Sequence, residues 1–85
     1  MHPKDVFVKR ASVVLSALNV EPSPSGLIYT GLMSDGITFD EYQQLIGILE
    51  GNGLIRQSHH VLSLTEHGKQ VADKVDSVLG RKRAD

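Results

Sequence analysis

Apolar residues return at intervals of three and four along most of this chain, and the pattern breaks where proline, glycine and serine gather. From about Pro3 to Leu18 the stripe is Phe7, Ala11, Val14, Leu15 and Leu18, which predicts a helix with one buried face. Pro3 suits a first helical position, where its missing N–H costs nothing, and Asn19 is expected to end the helix. Glu21-Pro22-Ser23-Pro24-Ser25-Gly26 reads as a loop, because each proline holds its predecessor in an extended conformation. A short second helix from Ser25 to Met33 is expected to bury Leu27, Ile28 and Leu32, with Met33 beside them. Ser34-Asp35-Gly36 then turns the chain.

The third helix has the clearest start. Thr38-Phe39-Asp40-Glu41 is a capping box, in which the threonine hydroxyl accepts from the N3 amide and Glu41 reaches back to the N–H of the cap. Phe39, Tyr42, Leu45, Ile46 and Leu49 fall on one face of it, the best amphipathic pattern in the chain. Gly51-Asn52-Gly53 stops it, with Gly53 as the left-handed residue. Leu54–Ser58 and Val61–Leu64 then read as two short strands around a turn at His59-His60, with Leu64 anchoring the returning strand. Thr65 caps a last helix lined on one side by Val71, Val75, Val78 and Leu79, and Gly80 ends it. Gly68 is expected to permit close approach of this helix to its neighbour.

A chain of 85 residues is one domain, burying roughly 60–65% of the surface its unfolded form exposes. It has no cysteine, which excludes disulfides and a thiolate zinc site. Lys9 and Arg10 cut the only long apolar region, and nothing approaches the ~20 residues of a membrane span. Ala11–Leu18 could pass for a leader core, but polar residues interrupt it and no small-residue cleavage pattern follows, so a cytoplasmic location is expected. Net charge is −1, with the basic residues near the two ends and only Arg56 in the middle. Phosphate binding depends on where cations sit more than on their sum.

No motif of catalysis is present. The chain has no phosphate-cradling glycine loop followed by lysine, no paired metal ligands, and no nucleophile with a base and an orienter. Gly26–Gly31 lacks the Gly-Lys-Ser/Thr ending of a phosphate loop and reads as helix. His59, His60 and His67 fit neither a zinc-finger spacing nor a helical pair, so neither a metal nor any other cofactor is expected.

The order helix, loop, helix, turn, helix, hairpin, helix resembles that of winged helix-turn-helix regulators. Ile46-Gly47-Ile48-Leu49-Glu50-Gly51-Asn52-Gly53-Leu54-Ile55 is similar to the end of their recognition helix, and Leu62-Ser63-Leu64-Thr65-Glu66-His67-Gly68 to the LTxxG that closes their hairpin. The likeness covers about residues 8–79 and is nearest to small archaeal winged-helix predicted regulators, whose final helix often pairs two subunits. Repressors of the multiple-antibiotic-resistance and phenolic-acid types share the two motifs. The resemblance implies a mainly α fold with a small β-hairpin and a winged helix-turn-helix domain set at residues 1–80, while the terminal charge run 81–85 reads as a disordered basic tail. It implies a DNA-binding transcriptional regulator that reads duplex DNA with helix three.

The candidate contacts lie on the outer face of that helix and on the hairpin. Opposite Tyr42 and Leu45 stand Asp40, Gln43, Gln44 and Gly47, with Glu50 at the flank. Glutamines can pair bidentately with adenine, and Gly47 allows close approach to the groove wall. Thr38 joins them at the helix start, Arg56 supplies a phosphate contact, and His59 and His60 can touch phosphate when protonated. The blander reading of both pairs is solvation: glutamines on an exposed helix face and histidines in an exposed turn. Arg81-Lys82-Arg83 could grip the backbone or be a solvated terminal run. Val75, Val78 and Leu79 are the candidate homodimer interface. The acidic start of helix three keeps a second function open, a winged-helix module that docks on a protein partner without binding DNA.

Overall fold

The computed structural model of the protein describes residues 3–78. Helix α1 (Pro3–Val20) runs two residues further than the sequence predicts. Asn19 does not end it, because its side-chain amide donates across to Asp73 and Asp76 of the last helix instead of competing for the local backbone. Ala11, Val14, Leu15 and Leu18 are buried as expected, whereas Phe7 is 36% exposed.

Strand β1 (Ser23–Pro24) corrects the reading of Glu21–Gly26 as loop. Ser23 pairs with Leu62 and Pro24 with Val61, so this segment forms the edge of an antiparallel sheet. An edge tolerates Pro24, whose missing N–H would interrupt a central ladder. Strands β2 (Ile55–Ser58) and β3 (Val61–Leu64) make the hairpin, and the sheet order is β1-β3-β2 with β3 in the middle. Leu62, fully buried, is therefore the anchor of the returning strand; Leu64 is only half-buried.

Helix α2 (Ser25–Met33) buries Ile28 and Leu32, but Leu27 and Met33, expected inside, are 64% and 53% exposed. Each is one residue from a buried position, a rotation of roughly 100° around a helix that packs by a single narrow stripe. Helix α3 (Phe39–Gly51) buries Tyr42, Leu45, Ile46 and Leu49 as predicted. Phe39 is the exception at 53% exposed, its ring standing edge-on to Tyr29 at 5.5 Å. Gly36 and Gly53 carry positive φ at the two turns that flank α3.

Helix α4 (Glu66–Val78) lies antiparallel to α1, since Asp73 meets Asn19 and Asp76 meets Ser16. Its start is fixed by Thr65, whose hydroxyl accepts from the Gly68 N–H at 3.0 Å and donates to the Gly53 carbonyl. A Cβ on Gly68 would overlap the Leu54 carbonyl oxygen and lie 2.7 Å from its carbon, so the close approach expected of this glycine is against backbone. Ala72 is fully buried against the common core, which Ile37, Ile55 and Leu62 also join. Residues 79–85, with Leu79, Gly80 and the basic tail, lie outside the described residues, as does the side chain of Val78. Among the described residues no helix is long and apolar enough to cross a membrane.

Candidate functional site

The outer face of α3 is held in place from its first turn. Thr38 Oγ1 accepts from the Glu41 N–H at 3.2 Å while a Glu41 carboxylate oxygen accepts from the Thr38 N–H at 2.9 Å. Arg10 of α1 reaches the other Glu41 oxygen at 3.5 Å. The Thr38 backbone and hydroxyl bonds, and then the Arg10 charge, hold the Glu41 carboxyl below the usual glutamate range. Thr38, expected among the DNA contacts, is thus engaged as a cap. Arg10 also lies 4.0 Å from Asp35, and Lys9 pairs with Asp35 at 3.5 Å, so Lys9 and Arg10 face carboxylates of the α2–α3 turn and of α3.

Tyr42 ties α3 to α2. Its hydroxyl bonds the Ser25 side chain at 2.7 Å and donates to the Ser25 carbonyl at 3.0 Å. Burial pushes the phenol pKa up, and the Ser25 bond offsets part of that rise. The Ser25 N–H in turn donates to the His60 carbonyl at 2.8 Å, which fastens the start of α2 to the hairpin turn. Helix α3, the start of α2 and the hairpin tip therefore form one connected surface.

Asp40, Gln43, Gln44, Gly47 and Glu50 are all exposed on α3, as the helical pattern predicts. The structure separates the two glutamines. Gln43 and Gly47 line an open groove of ≈ 620 Å³ floored by Tyr29, Phe39 and Tyr42, with Gln57 and His60 on its far wall. Gln44 lines a second groove of ≈ 410 Å³ against α1, together with Phe7, Arg10, Glu41 and Ile48. Neither set of aromatic and aliphatic lining residues was legible as a site, because Phe7 and Phe39 read as core from their spacing.

The hairpin turn is two residues long, since Ser58 pairs with Val61, and both residues sit in the left-handed region, His59 at φ 52° and His60 at φ 64°. That is the geometry of a type I′ turn, for which Asn-Gly is the usual choice. Ser58 Oγ and His59 Nδ1 are 3.1 Å apart. Ile55 pairs with Leu64 and Gln57 with Leu62, so Arg56 points from the opposite sheet face, exposed and outside both grooves. Gln43, Gly47 and His60 are thus brought together; Gln44, Arg56 and His59 are not part of that cluster.

His67 is exposed on α4, and no group of three His, Cys, Asp or Glu among the described residues could hold a metal ion. Of the expected dimer residues, Val75 is half-buried, and the Val78 side chain and Leu79 fall outside the described residues. Comparison of the chain with protein-family models, with curated proteins and with solved structures gave no match.

Proposed function

We propose that this chain is a winged helix-turn-helix regulator that binds duplex DNA through α3. The observation that carries the reading is the sheet order β1-β3-β2 around a helix–turn–helix, with the capped α3 left uncovered between the start of α2 and the hairpin tip. A helix about 10–12 Å across fits the major groove. Gly47 adds weight: it sits inside a helix, and a Cβ there would meet nothing within 4 Å, so the fold itself does not call for glycine. A glycine in a helix interior costs up to ~1 kcal/mol relative to alanine. Close approach of an external surface accounts for that cost.

On this reading Gln43 and Gln44 contact base edges from the two flanks of α3, and Arg56 and the strained His59-His60 turn contact phosphate. The function is binding, without a catalytic step, and the molecule acts as a homodimer paired through α4. With Lys9 and Arg10 engaged by carboxylates, non-specific affinity is expected to be weak and to fall steeply with salt.

A second reading is favoured by one feature. Asp40 and Glu50 stand exposed on α3, neither α2 nor α3 carries a lysine or arginine, and the larger groove is floored by aromatic rings. Such a surface suits a protein partner bearing cations. Titration of a labelled random duplex at ~50 mM and ~200 mM salt, where phosphate attraction differs strongly, separates the two. A DNA binder shows measurable affinity at low salt, weakened by Arg56→Ala and strengthened by Asp40→Asn with Glu50→Gln. If neither wild type nor that double variant binds duplex at low salt, the protein-docking reading replaces the first.

A further inference from the structure

We infer that α3 selects A·T base pairs by their major-groove edges, an inference that rests on the DNA-binding reading above. Its outward side chains form two rows along the helix. Phe39, Gln43 and Gly47 are spaced by four on the flank toward the hairpin, and Gln44 and Ile48 are spaced by four on the flank toward α1. In each row an amide stands one turn from an apolar side chain, with Phe39 53% and Ile48 46% exposed.

An A·T pair presents a complementary set in the major groove: the N7 acceptor and N6 donor of adenine, matched by a carboxamide, and the C5-methyl of thymine, matched by an apolar surface. Guanine presents two acceptors, N7 and O6, and needs paired donors. No lysine or arginine lies between Arg10 and Arg56, and Arg10 is held by Glu41 and Asp35 with its side chain only 15% exposed. A G·C pair under this face would therefore set O6 and N7 against Gln43 or Gln44 with at most one donor matched at a time, and against the carboxylates of Asp40 and Glu50. Those carboxylates can accept from the cytosine amino group, but that leaves the guanine half of the pair unanswered. Gly47 supplies room for the backbone to come near the methyl edge.

The test compares three alternating duplexes of equal length, d(A-T), d(G-C) and d(I-C), by fluorescence anisotropy at low salt. Inosine·cytosine keeps the minor groove of A·T and the major-groove edge of G·C, so it separates the two grooves. Expected is binding to d(A-T) about tenfold tighter than to either of the others, the discrimination of one good base contact. Replacing thymine by uracil, which removes only the methyl, should weaken binding, and Ile48→Ala should shrink that difference. Gln43→Ala and Gln44→Ala, both exposed and checked for intact folding by circular dichroism, should each lower the A·T preference. Equal affinity for d(A-T) and d(I-C) would mean reading from the minor groove and overturns the inference, as does a preference for d(G-C); in both cases DNA binding itself stands. Failure of wild type to bind any of the three removes the DNA-binding reading, and the inference falls with it.

Discussion

Gly68→Ala is the substitution whose cost the structure defines most sharply. The new Cβ would overlap the Leu54 carbonyl oxygen and approach the carbon to 2.7 Å, and both are backbone atoms with no rotamer to yield. That carbonyl already accepts from the Thr65 N–H at 3.1 Å, and Thr65 caps α4 through the Gly68 N–H. Relief therefore requires the start of α4 to lift from the end of α3, loosening Ala72 in the core. Overpacking costs about 1–3 kcal/mol and a weakened backbone bond ~1 kcal/mol, while leaving glycine returns up to ~1 kcal/mol of helix propensity. The net is a loss of about 2 kcal/mol, in a domain whose whole stability is on the order of 5–10 kcal/mol. A melting temperature roughly 8–16 °C lower follows for a domain of this size.

The internal control is Gly47→Ala, also glycine to alanine in a helix, but with open space around the new methyl. It should gain about 0.5–1 kcal/mol and melt a few degrees higher. Thermal melts by far-UV circular dichroism and urea titrations of both variants beside wild type make the comparison. If the two substitutions shift stability in the same direction, the contact with Leu54 is not what holds glycine at position 68.

Three further outcomes follow from the cap, the turn and the last helix. The Glu41 carboxyl is held below its ordinary pKa in the folded state, so its contribution is fully present above the ordinary glutamate range and is lost as pH falls through that range toward the folded value. Urea midpoints measured from neutral to acid pH should therefore fall less steeply for Glu41→Gln than for wild type; parallel curves would exclude the linkage. Asn-Gly in place of His59-His60 should raise stability by about 1 kcal/mol by relieving two left-handed residues, and an unchanged melt would show that the turn is not strained. Sedimentation should report a homodimer at micromolar concentration that Val78→Asp disperses, and a monomeric wild type would remove the pairing through α4.

Much of the fold could be read along the chain because its signals are short-range. The Thr38–Glu41 box, the left-handed Gly53 and the Thr65 cap are each settled within about one helical turn of backbone, and all three stand where the sequence places them. The stripe Tyr42, Leu45, Ile46, Leu49 is likewise a local periodicity, and it fixes the opposite, exposed face of α3 as a consequence. Strand β1 was not legible. Ser23 and Pro24, directly after Pro22, become a strand only because Val61 and Leu62, far along the chain, offer an open ladder.

The same distinction explains the misplaced side chains. Periodicity identifies a helix face but not its width, and the neighbouring elements decide whether a flanking Leu27, Met33 or Phe39 is covered. Adjacent Gln43 and Gln44 look equivalent in sequence, yet roughly 100° of helical rotation sends one toward the hairpin and the other toward α1. The sequence gives no partner for Arg10, which meets Glu41 only once α1 is laid against α3. Local backbone chemistry determined where the elements begin and end. Which surfaces meet, and hence which charges and rings remain for a partner, was decided by long-range packing, because those energies exist only once distant segments are in contact.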